Sequence, residues 1–348
     1  MQLLDLPHEL LLAIEKEIPS QRDLGLFLRV NRYLHSILDP ELYRRDADIQ
    51  RFTLWAARVG RLETLKKAQS YGIYSNRATG DLLCLSAENG HASVLKHLLP
   101  ARRCDWGPRM PEFGCHLDKL LVRPSRNGHH AAVKVLLEHG ADHSWANVKG
   151  RTALYHAATN GFSSVIEVLL DGGAEISAPD WHQWTPLHFA CKHGHVAAAR
   201  LLVNRGADIS AKCNAGRSPI FNAVESNNLE LAEFLLSKGC DPKSRENLGS
   251  TPLHRAVENG LYEMSKLLVR YGSQVDAEAD SKTTVLDWAI RGRDVRVAIF
   301  ILEALAKMPP ANALGSSPLH LAAALGLPQA VKILIDKGYD VNLKTLDR

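Results

Sequence analysis

Thr185–Asp208, TPLHFACKHGHVAAARLLVNRGAD, reads as two short helices back to back. Thr185 suits an N-cap, because its hydroxyl can accept an orphan backbone N–H. Pro186 follows at the first helical position, where its missing N–H costs nothing. Ala190 and Cys191 are small enough for a neighbouring helix to lie close. Gly194 and Gly206 end the two helices, as residues tolerant of left-handed geometry do. A pair this small cannot bury its own apolar face and needs a copy on each side.

The copies are present. Threonine or serine recurs at 152, 185, 218, 251, 284 and 317, in the words TALYHA, TPLHFA, SPIFNA, TPLHRA, TVLDWA and SPLHLA, each step being 33 residues. Extending the frame backwards adds Lys119–Asp142, Asp81–Leu99 and a degenerate copy at Arg51–Gly72, so nine repeats begin near 51, 81, 119, 152, 185, 218, 251, 284 and 317. The 33-residue period and the T-P-L-H-x-A word resemble the ankyrin repeat family. The resemblance spans residues 51–348. It implies a mainly α solenoid of helix pairs with β-hairpin fingers, curved around a concave binding face. Composition agrees with a soluble fold: 45% of residues are hydrophobic and 23% charged.

Local departures carry expectations of their own. Pro124 lies inside a first helix, where it lacks a donor, and should distort it. Residues 100–118 carry a five-residue insertion into a finger. Asn227 and Arg293 stand where a turn glycine is usual.

Residues 1–45 fall outside the repeat frame, and Asp46–Gln50 reads as a polar joint. Leu6-Pro7 opens a helix on which Leu10, Leu11 and Ile14 share a face; Asp23 opens a second, with Leu24, Phe27 and Val30 at spacing three. The order Leu-Pro-x-Glu-Leu, Asp-Leu, Val-Asn-Arg, Leu-Tyr-Arg resembles an F-box, a small helical bundle that binds the adaptor subunit of cullin–RING ubiquitin ligases. That resemblance assigns Leu6, Pro7, Leu10, Ile14, Leu24, Phe27 and Val30 to adaptor binding. A helical cap shielding the first repeat is the alternative.

The chemistry-bearing residues do not assemble into a catalytic set. Cys191, His193 and His195 are close in sequence, but they fall on a helix and the turn after it and point in different directions, whereas structural zinc takes four converging ligands. No nucleophile elbow, phosphate loop or dinucleotide fingerprint appears, so the sequence reads as non-catalytic, with no cofactor and no metal. A net charge of +4 is too slight to indicate nucleic acid or membrane. The longest early apolar run, Leu10–Ile14, is shorter than a signal peptide or a membrane span requires, and the six cysteines show no pairing pattern; both point to an intracellular protein of the cytoplasm or nucleus.

In the ankyrin family, finger residues before the Thr word and the last turn of the first helix face the partner. Here those positions give Arg123, Arg126, Lys149, Arg151, Trp181, His182, Trp184, Lys192, His193 and Arg217. Such a surface is expected to take an acidic or phosphorylated protein segment, with arginine forks on the anion and the tryptophans as apolar anchors. The whole chain then reads as a ubiquitin-ligase substrate receptor, or as a plain ankyrin scaffold without a ligase link.

Overall fold

The structure is a computed structural model that describes residues 46–70, 76–99, 117–280, 282–305 and 317–342. The F-box-like segment 1–45 and most of the insertion 100–118 lie outside them. The chain divides into two compact units, Met1–Trp145 and Ala146–Arg348.

In the first unit, helices α1 (Asp46–Val59) and α2 (Leu62–Ser70) pair, as do α3 (Asn76–Glu88) and α4 (Ala92–Leu98). Residues 46–50, read above as a joint, form the first turns of α1. Ala56, Ala57, Leu82, Leu83 and Ala87 are buried where α1 lies against α3. The next first helix is broken, as Pro124 requires. It runs as α5 (Leu117–Leu120) and α6 (Val122–Asn127), with a turn at Leu121 between them. Pro124 has no N–H to give the Leu120 carbonyl four residues back. Helix α7 (His130–Glu138) closes the unit.

The second unit repeats one design. Its first helices are α8 (Ala153–Thr159), α10 (Pro186–Lys192), α12 (Pro219–Glu225), α14 (Pro252–Glu258), α16 (Val285–Arg291) and α18 (Pro318–Ala324). Its second helices are α9 (Ser163–Asp171), α11 (Val196–Asn204), α13 (Leu229–Ser237), α15 (Tyr262–Arg270), α17 (Val295–Ala304) and α19 (Pro328–Asp336). Each helix packs on its pair-mate and on its counterpart in the next repeat, giving two layers. Two columns at the 33-residue period fill the space between: Leu154, Leu187, Ile220, Leu253 and Leu286, and Leu169, Leu202, Leu235, Leu268, Ile301 and Leu334, all buried. Burying such a side chain stabilises by about 1.5–3 kcal/mol. Truncating one to alanine opens a cavity felt by two repeats.

Fingers join neighbouring repeats. Each hairpin closes on itself, as where Asp180 N–H donates to the Trp184 carbonyl at 3.0 Å. Four of them also reach the finger before: Trp181 N–H donates to Lys149 O, Asn214 to His182 O, Asn247 to Ala215 O and Asp280 to Leu248 O.

The T-P-L-H word works through its imidazole. His188 Nδ1 accepts from Thr185 N–H at 3.2 Å and lies 2.9 Å from Thr185 Oγ1, while Nε2 donates to the Arg217 carbonyl of the following repeat at 3.0 Å. With Nδ1 accepting, the ring is neutral. His254 and His320 accept from Thr251 and Ser317 in the same way. Burial pushes the pKa of His188 down and that of His254 down to about 4. A second histidine also braces repeats: His195 Nε2 donates to Thr159 O at 3.0 Å. Its ring lies against Gly161, where a Cβ would come within 2.6 Å, and φ there is +74°, so only glycine fits.

At TVLDWA the histidine is replaced by Asp287. Its Oδ2 accepts from Thr284 N–H at 2.9 Å and Oγ1 at 3.0 Å, so the cap survives. The shorter side chain leaves Oδ1 buried without a hydrogen-bond partner among the described residues, and burial raises the carboxyl pKa.

Among the described residues, four other than glycine have positive φ: Gln183, Asn227, Lys282 and Arg293. Asn227 and Arg293 occupy turn-glycine positions. Gln183 and Lys282 stand where other fingers have Gly150, Gly216 and Gly249, a substitution that the helix-based reading of the sequence passed over.

Two outcomes follow from these features. A non-β-branched residue held left-handed costs roughly 1–2 kcal/mol, partly offset by glycine's greater unfolded-state entropy. Gln183→Gly and Arg293→Gly should each raise unfolding free energy by about 0.5–1 kcal/mol in urea titrations; a loss at either position would contradict the strain. The buried histidines set a pH response. Unfolded histidine takes a proton below about 6.5; folded His254 resists until about pH 4. Stability present above pH 6.5 should therefore fall as pH drops from about 6.5 to about 4, by on the order of 3 kcal/mol for His254 alone. Urea midpoints at pH 7.5, 6 and 4.5 test this, and a flat profile across that window would refute it.

Candidate partner-binding face

The expected partner residues fall on both units, and the structure treats them unequally. In the first unit, Arg123 and Arg126 are exposed on α6, but Arg123 is paired with Glu88 on α3. In the second unit, Arg217 is half-buried and bound to Glu246 and, at 2.8 Å, to Glu225. Neither Arg123 nor Arg217 is a free fork for an external anion.

The remaining residues gather around α8, α10 and their fingers. Asp180 organises the finger that carries three of them: its carboxylate accepts from His182 N–H at 2.9 Å and Trp184 N–H at 3.0 Å. This turns Trp181 and His182 out at the tip, with Trp181 68% exposed. Trp181 and Trp184 thus separate in role. Trp184 is half-buried, with ring centroids 5.0 Å from Phe189 and 5.8 Å from His188. Phe189 meets Tyr155 of the preceding repeat edge-on at 4.4 Å. Cations sit at both ends of this aromatic run: the Arg151 guanidinium is 4.7 Å from the Tyr155 centroid, and Lys192 Nζ is 4.9 Å from the Trp184 centroid. The Arg151 Nε is buried with no hydrogen-bond partner among the described residues. Lys149 is exposed at the adjoining finger tip. His193 is exposed and stacks on His195 at 6.1 Å; partial burial, then His195 and Lys192, lower its pKa.

Several charges elsewhere in the second unit are answered within the chain. On the outer helices Arg205 pairs with Asp171 and Glu167, Arg200 with Glu230, and Arg270 with Glu233. By contrast, Lys149, Arg151 and Lys192 have no carboxylate partner among the described residues. Cations left without anions beside aromatic rings are what an anionic, partly apolar partner would complete. Tyr155 and Phe189, which tie the cluster together, were missed in the sequence because they lie inside the repeated word and read as core; their aromatic character at adjoining repeats was the available signal. Cys191 is fully buried on α10 and His195 is spent on a backbone carbonyl, so neither joins the face.

The next repeats carry a different arrangement. Glu246, 6% exposed, accepts from Arg217, Arg255 and Ser250. Arg255 also pairs with Glu258 at 3.1 Å and lies 5.2 Å from the Trp288 centroid. Burial alone would raise the Glu246 pKa, but the hydrogen bonds from Ser250, Arg217 and Arg255 outweigh it and hold the carboxyl below the usual range. Removing this carboxylate strands two half-buried guanidiniums, and breaking a buried pair costs about 3–5 kcal/mol. Glu246→Gln should lower unfolding free energy by about 2–4 kcal/mol at pH 7. Because the folded pKa is depressed, the wild-type contribution is present above about pH 4.3 and lost below it, so the two proteins should converge on acidification. A gap unchanged at pH 3 would refute the network.

Comparison with known proteins accords with this architecture. The family model described as ankyrin repeats (3 copies) matches residues 83–180, 121–213, 179–246 and 220–309, and that for a single ankyrin repeat matches 314–346. Among solved structures, the chain is similar to the crystal structure of the ankyrin repeat domain of Bcl-3, described as a unique member of the IkappaB protein family. Identity is 27%, the alignment covers 62% of this chain and 97% of that one, and the TM-score is 0.56. A search of curated proteins finds no match. Repeats of this kind are typically non-catalytic and bind other proteins. No described helix is long and apolar enough to cross a membrane. Matched over most of its length, this chain belongs to the ankyrin repeat family.

Proposed function

We propose that this chain is a protein-binding scaffold whose face around α8 and α10 takes an acidic segment of a partner. The observation that carries the reading is the run Arg151–Tyr155–Phe189–Trp184–Lys192, in which cations without carboxylate partners among the described residues border packed aromatic rings. Carboxylates or phosphates would meet Lys149, Arg151 and Lys192, while Trp181 and the open side of Trp184 supply apolar contact. Exposed ion pairs contribute only about 0–1 kcal/mol each, so the aromatic residues supply most of the affinity. His182 and His193 extend the polar rim. Arg217 shapes the floor through Glu246 rather than binding the partner itself.

A ligase role is the second reading, favoured by the order of F-box-like words in residues 1–45. In it, Leu6, Pro7, Leu10, Ile14, Leu24, Phe27 and Val30 hold the adaptor of a cullin–RING ligase, and the repeats hold its substrate. The chain would then act by proximity alone, from the cytoplasm or the nucleus.

Partners captured with the full-length chain as bait provide the ligand. Trp184→Ala should weaken their binding more than Arg151→Ala. Raising salt should erode the arginine part and spare the tryptophan part, because screening acts on charge. A partner indifferent to both substitutions would move the site elsewhere. Separately, titrating the full-length chain with the adaptor subunit by calorimetry should give binding that Leu10→Ala weakens; no heat from the wild type would remove the ligase reading and leave the scaffold.

A further inference from the structure

The row of residues that ends each first helix carries information beyond a cationic patch. Helices α10, α12, α14 and α16 end at Lys192, Glu225, Glu258 and Arg291, each 33 residues from the last and each exposed. Consecutive first helices pack side by side, so these four side chains form a line across four repeats, in the order plus, minus, minus, plus. The two carboxylates are not cancelled. Among the described residues, Glu225, Glu246 and Glu258 share only Arg217 and Arg255, three negative charges against two positive. The guanidiniums are drawn inward to the buried Glu246, while the outer carboxylates each spend one oxygen on them.

Resting on the binding face proposed above, we infer that the partner segment is bipolar. Its acidic residues lie over Lys192 and Arg151, and its basic residues lie over Glu225 and Glu258. Charge complementarity is the argument: an acidic stretch continued unchanged onto α12 and α14 would meet like charge, which costs affinity and sets register. Packed helices are about 8–10 Å apart, so Glu225 and Glu258 lie about 10 and 20 Å from Lys192. An extended chain rises about 3.3 Å per residue, so basic residues follow the acidic cluster by about three to six positions. The row then discriminates among acidic segments, which a uniformly cationic groove would not.

Synthetic fluorescein-labelled 14-residue peptides, each with one central Trp, provide the probe, read by anisotropy with the full-length chain at low salt. One peptide carries acidic residues only. Two carry four acidic and three basic residues in separate blocks, acid first or base first. A fourth has that composition with the charges alternating. The better of the two block peptides should bind about fivefold or more tightly than the alternating one, as two exposed ion pairs allow. Glu258→Gln, at an exposed position, should cut that preference to about twofold or less and leave the acidic-only peptide bound as well as before or better. Equal binding of block and alternating peptides would overturn the inference while the acidic-segment reading stands. An unchanged preference in Glu258→Gln would overturn it equally. Failure of all four, the acidic-only peptide included, would overturn both.

Discussion

Each helix pair has more apolar surface than it can cover. The buried columns at 33-residue spacing exist only because every pair lends a face to the next. That requirement fixes the small residues on first helices, such as Ala190 and Cys191, and it sets where polarity must be repaired. A repeat cannot be removed or distorted without exposing its neighbours.

Polar repair uses a few reach-across contacts. His188 joins its own N-cap to the Arg217 carbonyl one repeat on, and His195 reaches back to Thr159. Both use a ring nitrogen that donates to a carbonyl, and at His188, whose Nδ1 accepts, the contact couples repeats without adding charge to the interior. Asp287 keeps the cap and gives up the reach, and its buried oxygen marks the cost. Glu246 does comparable work on the finger face with charge, which succeeds because two guanidiniums and a hydroxyl surround it.

The same lacing decides what the surface can bind. Where charges are answered within the chain, as on the outer helices, an approaching partner gains little from them. Where they are left over, beside Tyr155, Trp184 and Phe189, an approaching partner would meet cations that no carboxylate of the described residues occupies. The distribution of leftover charge, rather than the net +4 of the chain, therefore carries the functional signal.

By itself, the sequence determined the repeat. Its period, the Thr-Pro caps, the turn glycines and the break at Pro124 are local in physical origin, set by hydrogen bonding and steric limits over a few residues, and they are legible in one dimension. It also placed Trp181, Trp184, Arg151 and Lys192 on one face, because repeat position maps to face. Tertiary structure decided which of those residues are free. Arg217 stands at the same repeat position as Arg151, and Arg123 also falls at an expected partner-facing position, yet Glu246 and Glu88, 29 and 35 positions away, occupy them. Trp184 was drawn into an aromatic run while Trp181 stayed out, because the Asp180 carboxylate fixed the finger between them. Ion pairs and ring contacts depend on which side chains meet across repeats, and no local rule along the chain encodes that meeting.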